Sequence, residues 1–336
     1  MSDDDPIPEG ESATARPVLS FGEALIDLIV SDGASGLVQA TTFAARAGGA
    51  PANVAVALAR LGVASGFVGV VGADPFGQRL RSGLATEGVA VDRVRAMPGV
   101  ATTLAFAWKD DRGDGHFWLL RAADVELAPS DAELAAIPGA AAVVVGSVAL
   151  AADPSRAAIY RAVELANDHD VPVCFDVNLR PTLWPDLVAA RHACAPVLAG
   201  TTLVKLSLDD ARGVLGEGAP AAIIDLLRTT AGRAIGKIPQ VVLTDGERGC
   251  WFATTAGETR HLPAFSVSAV EPTGAGDAFS AALISRLLAR DWAALEEDDV
   301  RVAAAAGALA TTRPGAWEGL PTAAELGAFL RQADGG

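Results

Sequence analysis

The sequence predicts an α/β fold built on a mostly parallel β-sheet, with a second, small β-sheet attached to it. Three observations support this: apolar strand-like runs recur along the chain, helical patterns lie between many of them, and two β-like segments interrupt the alternation. The 336 residues suffice for a large core without disulfides. The predicted strands are 17–21 continuing into 25–30, 66–71, 141–148, 171–175, 201–206 and 240–243.

Helices are predicted where apolar residues recur with a period near 3.6. Because these helices alternate with strands, we expect them to cover both faces of the parallel sheet. The predicted helices are 52–61, 75–87, 154–166, 208–215, 277–290, about 296–312 and 322–332.

Two β-like segments fall outside this alternation. Residues 36–45 form a short one, and residues 98–124 have the pattern of a hairpin around a polar Asp-Arg-Gly-Asp-Gly turn. We interpret them as a small sheet, with insertions at about 34–47 and 98–124 in one domain that spans 17–332. The small sheet either acts as a lid over a site or decorates the edge of the main sheet.

Charge and composition restrict the partners. The net charge is −15, with 41 acidic residues against 26 basic ones, which argues against nucleic-acid binding. The three cysteines lie far apart and indicate reduced thiols in a cytoplasmic protein. Residues 1–16 have the composition of an acidic disordered tail and lack the features of a signal peptide. The longest apolar run, 139–152, is too short to span a membrane.

The stretch "EPTGAGDAFSAALISRLL" at 271–288 places three small residues, Gly274, Ala275 and Gly276, before Asp277 and a helical pattern. The first N–H groups of a helix have no intrahelical partner, so a phosphate or an oxyanion can bind there. Asp277 either caps the helix or accepts a proton from an attacking hydroxyl. From this stretch alone, capping is the simpler interpretation.

Polar and glycine residues also follow several predicted strands, where ligands of open α/β sheets gather. Each group has a simpler interpretation as a turn, a cap or a solvated loop. The candidates are Gly48, Gly49 and Asn53 before the first helix, Asp176, Asn178 and Arg180 in "FDVNLRPTLW", Lys205 and Asp210 in "LVKLSLDD", and Thr244, Gly246 and Gly249 in "VVLTDGERGC".

Several common site signatures are absent from the sequence. It contains no G-x-x-x-x-G-K-[ST] phosphate loop and no G-x-G-x-x-G after the first strand. It also lacks H-E-x-x-H and paired cysteine motifs, and it has no G-x-S-x-G elbow. A P-loop enzyme, a Rossmann oxidoreductase, a zinc enzyme and an α/β-hydrolase are therefore disfavoured.

Taken together, these segments resemble the ribokinase-like family of ATP-dependent sugar kinases, also called the phosphofructokinase B family. "GGAPAN" and "PTGAGDAFSAAL" are similar to the two family signatures, and the resemblance covers about 17–330. It implies a three-layer sandwich with a β-sheet lid and a homodimer formed through that lid. The motifs that fall in the family's order between and around the signatures are "FGEALIDLIV", "GADPFG", "FDVNLRPTLW", "LTDGERG" and "TRPGA".

The resemblance also implies roles for individual residues. Asp277 is similar to the catalytic base, which a helix N-terminus would keep ionised, and Gly274, Ala275 and Gly276 resemble the anion hole. The implied sugar contacts are Asp27, Gly48, Gly49, Asn53, Arg121, Asn178 and Arg180. The implied ATP contacts are Lys205, Thr244, Gly246, Gly249, Gly274 and Gly276.

The metal sites follow the family pattern less closely. Asp210 lies where the family has the glutamate of an Asn-x-x-Glu motif near Mg²⁺ and the phosphates, and Ser207 replaces the asparagine. The family usually has Asp followed by Thr or Ser where this chain has Glu271 and Pro272. Glu271 and Gly315 are the candidates for a K⁺ site, in addition to the Mg²⁺ that accompanies ATP.

The fructokinase branch is the most similar one, through "GEALID", "FDVNLRPTLW" and "TRPGA". The implied reaction is phosphorylation of D-fructose at a primary hydroxyl. A 2-keto-3-deoxygluconate kinase is the alternative, and a ribokinase is disfavoured because Leu25 replaces the usual asparagine. A non-catalytic sensor of sugar or nucleotide on the same scaffold is the alternative from another class.

Overall fold

A computed structural model of the chain describes residues 16–112, 115–254 and 256–335. The predicted acidic tail, apart from Arg16, lies outside these residues, as does part of the predicted hairpin turn. Two β-sheets are present in the described ranges. Their strands are, in chain order, β1 (Val18–Phe21), β2 (Leu25–Val30), β3 (Phe43–Gly48), β4 (Ser65–Gly72), β5 (Val94–Met97), β6 (Leu104–Lys109), β7 (Gly115–Leu120), β8 (Ala142–Gly146), β9 (Val173–Asp176), β10 (Leu203–Ser207), β11 (Gln240–Thr244), β12 (Cys250–Ala253) and β13 (Thr259–Leu262).

The central sheet has the strand order β13-β12-β11-β10-β9-β8-β1-β4-β5. All neighbouring strands from β11 to β5 are parallel, while β12 pairs antiparallel with both β11 and β13. The α-helices are α1 (Ala50–Arg60), α2 (Pro75–Thr86), α3 (Pro129–Leu134), α4 (Ser155–Asp168), α5 (Leu187–Ala199), α6 (Leu208–Val214), α7 (Pro220–Thr230), α8 (Ala275–Leu288), α9 (Glu297–Ala310), α10 (Ala316–Gly319) and α11 (Ala323–Gly335).

Helices cover both faces of the central sheet, as the alternating apolar pattern predicts. Along β8, Val143 and Val145 pack on one side with α4 and α5, whereas Ala142 and Val144 pack on the other side with α1 and α8. Strands that are buried on both faces read as continuous apolar runs, which explains why these strands were recognisable in the sequence. The predicted α/β fold is confirmed.

The second sheet, here called the lid sheet, has the order β3-β2-β6-β7. The segments predicted at 34–47 and 98–124 supply β3, β6 and β7. The prediction that 25–30 continues the first central strand is wrong, because β2 pairs with β3 and β6 in the lid sheet. The chain leaves β1 at Gly22, where φ is 144° and a Cβ would lie 2.7 Å from Pro51 Cγ.

The two faces of the lid sheet have different partners. Side chains alternate along β2, so Asp27 and Ile29 point toward the cavity described below. The opposite, outer face carries an aromatic cluster in which the Phe106 ring lies 5.3 Å from that of Trp118 and 6.0 Å from that of Phe43. In the described part of the chain, no helix is long and apolar enough to cross a membrane.

Several elements were not predicted from the sequence. They are the strands β5, β12 and β13 and the helices α3, α5, α7 and α10, and Pro196 lies inside α5. The three strands have four residues each, and α3 and α10 have six and four, so none of them is long enough for a clear periodic pattern.

Candidate active site

One cavity of about 910 Å³ lies between the lid sheet and the carboxyl edge of the central sheet. Lid residues such as Trp108, Phe117 and Leu119 close one side of it. Ten residues that the sequence analysis proposed for the site line this cavity together: Asp27, Gly49, Asn53, Asn178, Arg180, Lys205, Glu271, Gly274, Gly276 and Asp277.

Asp277 lies in the first turn of α8 and is only 7% exposed. Its Oδ2 accepts a hydrogen bond of 2.7 Å from Asn53 Nδ2 on α1. Asn53 Oδ1 in turn accepts a hydrogen bond of 2.9 Å from the indole N–H of Trp317. Asn53 and Asp277, both predicted site residues, are thus in direct contact. Trp317 is the third residue of this hydrogen-bonded chain, and it was not predicted from the sequence.

Burial raises the pKa of Asp277 to about 6, and the neighbouring Asp176 adds to the rise. The Asn53 hydrogen bond, Lys205 and Arg180 act in the opposite direction. The helix N-terminus alone would keep this carboxyl group ionised, as predicted, but desolvation by burial has the largest effect on its pKa. The carboxylate is still the main form at neutral pH, and a base with a pKa near the working pH transfers protons efficiently.

Lys205 forms a buried ion pair beneath the start of α8. Its Nζ lies 3.1 and 3.0 Å from the two carboxylate oxygens of Asp176, and Ser280 Oγ donates to Asp176 Oδ2 at 2.6 Å. Burial opposes the charge of Lys205, but Asp176 and Asp277 outweigh it and its pKa is raised. A Cβ on Gly276 would lie 2.9 Å from Nζ, so a larger residue here would push against this ammonium group.

The mouth of α8 offers backbone donors to an anion. Gly274 precedes the helix with φ 83°, a conformation that favours glycine. The N–H of Ala275 already donates to the carbonyl oxygen of Pro272 at 3.1 Å. The donors that remain in this first turn are therefore those of Gly276 and Asp277. Ala275 was predicted to be part of the anion hole, but its N–H is already engaged, so it contributes to the shape of the turn and donates no hydrogen bond to an anion.

Asp27 lies on the lid strand β2 and lines the cavity. Burial raises its pKa to about 7; Arg180 lowers the pKa, while Glu271 and Asp277 raise it further. A Cβ on Gly48 would lie 2.1 Å from Asp27 Oδ2, so the first glycine of the Gly48-Gly49 pair makes room for this carboxyl group.

Glu23 is a second buried carboxyl group in the cavity, and the sequence analysis did not propose it. Its Oε1 accepts from the N–H of Ala50 at 3.2 Å, at the start of α1. Its Oε2 is buried and makes no hydrogen bond to any residue that the structure describes. Burial raises its pKa to about 7. Gly49 packs against it: φ is 104°, and a Cβ would lie 2.4 Å from the Glu23 carbonyl oxygen.

Arg180 connects the central sheet to the lid sheet. Its Nη1 donates to Asn178 Oδ1 at 2.7 Å, and its guanidinium carbon lies 5.9 Å from the ring centre of Phe117. Asn178 has φ 40°, which asparagine tolerates better than most residues. Arg121, by contrast, does not line the cavity; it is mostly buried and ion-paired with Asp124, 2.6 Å away.

Three of the six residues predicted to contact ATP, Lys205, Gly274 and Gly276, line the cavity, and the other three do not. Thr244 ends β11, and Gly246 and Gly249 follow it in the next turn. Asp210 is also outside the cavity, with a carboxylate that accepts from the N–H groups of Leu179 at 2.8 Å and Ser207 at 2.9 Å. These two bonds fix the loop after β9 to the start of α6.

The K⁺ candidates are brought together. Glu271 Oε2 accepts from the N–H of Gly315 at 2.9 Å, so the two predicted positions are in contact although 44 residues apart. Gly315 has φ 92°, and a Cβ there would lie 2.4 Å from Glu318 Oε2. Within the described ranges, no group of three or more His, Cys, Asp or Glu side chains could hold a metal ion.

The cavity combines an open helix N-terminus, which can bind a phosphate, with a buried carboxylate, which can accept a proton. In an α/β sandwich with a lid sheet, this combination indicates a small-molecule phosphotransferase. The chain matches the model of the pfkB family of carbohydrate kinases over residues 15–323 and belongs to that family. It is a carbohydrate kinase, and the family predicted from its motifs is confirmed.

Known relatives are similar over nearly the whole chain. Fructokinase-1 of Zea mays is 34% identical over 325 residues, which cover 94% of this chain and 98% of that protein. A fructokinase from Xylella fastidiosa with bound ATP has a TM-score of 0.81 at 29% identity, covering 95% of this chain and 99% of that one.

A fructokinase from Vibrio cholerae O395 has been solved with fructose, ADP and calcium ion, and as a double mutant with fructose, ADP and potassium ion. Both structures are 31% identical to this chain with a TM-score of 0.78. Each alignment covers 94% of this chain. It also covers 99% of the calcium-bound fructokinase chain and 98% of the potassium-bound one.

Proposed function

We propose that this carbohydrate kinase transfers the γ-phosphoryl group of ATP to a primary hydroxyl of D-fructose. The observation that carries the proposal is the position of Asp277, buried at the open N-terminus of α8 in the same cavity as the Asp27 carboxyl group. Similarity to fructokinases over 94% of the chain supports the choice of sugar.

In the proposed reaction, the sugar hydroxyl oxygen attacks the γ-phosphorus while the bond from that phosphorus to the bridging oxygen of ADP breaks. The hydroxyl proton passes to Asp277 Oδ1, because Oδ2 already accepts from Asn53. The N–H groups of Gly276 and Asp277 and the ammonium group of Lys205 face the charge that builds up on the phosphoryl oxygens. The lid residues Trp108 and Phe117 exclude water from the reacting atoms.

Magnesium would enter this site bound to the phosphates of ATP. Mg²⁺ keeps several waters and needs few protein ligands, which agrees with a described chain that offers no metal-binding cluster of its own. Asp210 would hold it indirectly, through water, since its carboxylate already accepts two backbone N–H groups. When bound, the ion neutralises charge on the phosphates.

The charges of the cavity favour a neutral sugar over 2-keto-3-deoxygluconate, which is acidic. Of the four lysine and arginine side chains that line the cavity, Lys205 is paired with Asp176 and Arg46 with Glu318, whereas Lys109 and Arg180 form no ion pair with a described residue. An acidic sugar would add negative charge to a cavity already rich in carboxyl groups: Glu23, Asp27, Asp110, Asp111, Glu271 and Asp277.

A substrate screen tests the proposal. ADP release is measured with fructose, 2-keto-3-deoxygluconate, ribose and adenosine at equal concentration, and fructose is expected to give the highest kcat/KM. Faster turnover of 2-keto-3-deoxygluconate would contradict the choice of sugar. Sugar binding without ADP release from any of the four would favour a sensor on the kinase scaffold.

The buried free thiols of Cys174, Cys194 and Cys250 support the further proposal of a cytoplasmic location.

We also propose that K⁺ activates the enzyme through Glu271 and the backbone near Gly315. Glu271→Ala removes a carboxylate that ties these two segments together, so activation by KCl should disappear while activity without K⁺ remains. The measurement is kcat in KCl against tetramethylammonium chloride at equal ionic strength. Glu258→Ala, at an exposed carboxylate, is the control. A wild-type response to KCl in Glu271→Ala would remove this residue from the cation site.

The outer face of the lid sheet is proposed as the homodimer interface. Trp118 is 52% exposed and Leu120 is 47% exposed on this face, beside the aromatic cluster. A second copy would cover both side chains. Trp118→Glu should convert a dimer to a monomer in light scattering after size-exclusion chromatography. Val38→Glu, at an exposed apolar residue of the lid loop, is the matched control. A dimer that survives Trp118→Glu would contradict this interface.

A further inference from the structure

Three buried side chains from three helices form a hydrogen-bonded chain that ends at Asp277. Trp317 on α10 donates through Nε1 to Asn53 Oδ1, and Asn53 on α1 donates through Nδ2 to Asp277 Oδ2. The three residues are 7%, 5% and 7% exposed, in the order Trp317, Asn53 and Asp277. Solvent therefore competes little for these bonds.

The chemistry of the three groups allows only one order of donors. An indole N–H can only donate, so the oxygen of the Asn53 amide must face Trp317. The amide NH₂ group then faces Asp277 and can bond only to a carboxylate oxygen. Without the indole donor, the amide of Asn53 could turn over and present its oxygen to the carboxylate, which would repel it. The indole thus fixes the orientation of the amide.

The position of Trp317 is itself fixed from two sides. Arg60, two turns after Asn53 on α1, donates through Nη1 to the carbonyl oxygens of Trp317 at 2.7 Å and Leu320 at 2.8 Å. On α2, a Cβ at Gly83 would lie 2.8 Å from the Trp317 ring, so this glycine leaves room for the indole. One helix therefore carries both Asn53 and the arginine that holds the backbone of Trp317.

We propose that Trp317 is a positioning residue for the phosphoryl transfer: through Asn53 it holds the Asp277 carboxylate with Oδ2 occupied and Oδ1 turned to the sugar hydroxyl. This inference rests on the proposed role of Asp277 as the base. It gives Asn53 a task besides sugar contact, since its amide oxygen and one of its N–H groups are already engaged.

The hydrogen bond from Asn53 also affects how the rate depends on pH. The charged groups that face Asp277 are Asp176, Lys205, Arg180 and Asp27. The Asn53 hydrogen bond favours the ionised form of Asp277 and lowers its pKa. Loss of that bond raises the pKa. A base works only when ionised, so the acid limb of the rate profile moves to higher pH.

Trp317→Phe tests this directly, because it removes the N–H and keeps an aromatic ring. We expect kcat to fall about tenfold through misplacement of the base, and the acid limb of kcat/KM to move up by about one pH unit. Trp184→Phe is the matched control: Trp184 is buried outside the cavity, and its indole N–H makes no hydrogen bond to a described residue. Its pH profile should equal that of the wild type.

A double-mutant cycle separates positioning from general packing. If Trp317 acts through Asn53, Trp317→Phe should cause no further shift of the acid limb in an Asn53→Ala background. Additive shifts would overturn the proposal.

Should Trp317→Phe not fold, Gly83→Ala displaces the indole from outside the cavity, and we expect it to move the acid limb in the same direction. If the acid limb does not move in a folded variant while Asp277→Asn has lost at least about 10²-fold in kcat, the positioning role of Trp317 is overturned. A kcat near that of the wild type in Asp277→Asn would instead contradict the proposed role of Asp277 as the base.

Discussion

Replacing Asp277 with asparagine is expected to lower kcat by about 10²- to 10⁴-fold, the usual contribution of a general base. Asparagine keeps the size of the side chain, and its amide oxygen can still accept from Asn53, so the cavity should keep its shape. What is lost is the group that takes the proton from the sugar hydroxyl. Turnover is measured by ADP release, and sugar binding by calorimetry on the same sample.

Asp27→Asn is the matched control for this prediction, because both residues are carboxyl groups with a raised pKa that line one cavity. Asp27 is proposed to bind the sugar and not to take its proton. Its variant should therefore weaken sugar binding more than it lowers kcat. If Asp277→Asn keeps a kcat near that of the wild type, or if the two variants behave alike, the base has been wrongly assigned.

The sequence was informative about the site wherever the chemistry depends on backbone shape. Gly48 and Gly274 could be recognised as glycines close to a helix start: Gly48 leaves room for the Asp27 carboxyl group, and Gly274 adopts φ 83°, a conformation that favours glycine, before α8. The proximity of Asn53 to Asp277, 224 residues apart, was implied only by the order of motifs known from the family.

Other features depend on tertiary packing that leaves no local pattern. The run 25–30 has the same apolar character in either sheet, and only the turn at Gly22 sends β2 into the lid sheet. Trp317 lies in a four-residue helix, too short to show any periodicity. The pKa of Asp277 is governed by burial among residues from several elements, while the sequence suggested only the local helix dipole.

Lys205→Met is the second variant with a large expected effect, and here the effect is on stability as well as activity. The Lys205 and Asp176 side chains are 9% and 8% exposed. Removal of one partner leaves the other as an uncompensated charge in the core, which typically costs about 3–5 kcal/mol of unfolding free energy. The measurement is chemical denaturation monitored by circular dichroism. Lys237→Met is the matched control, since its ion pair with Asp170 is 3.6 Å long and exposed, and it should change stability little.

A second substitution separates the two roles of Lys205. Asp176→Asn in the Lys205→Met background removes the orphaned charge, and Ser280 Oγ can still donate to the amide oxygen. Most of the lost stability should therefore return. Activity should not return, because the ammonium group beside Gly276, which we propose faces the phosphoryl oxygens, is still missing. If the double variant regains turnover along with stability, Lys205 serves only the fold. If Lys205→Met is as stable as Lys237→Met, the buried pair does not hold this edge of the sheet together.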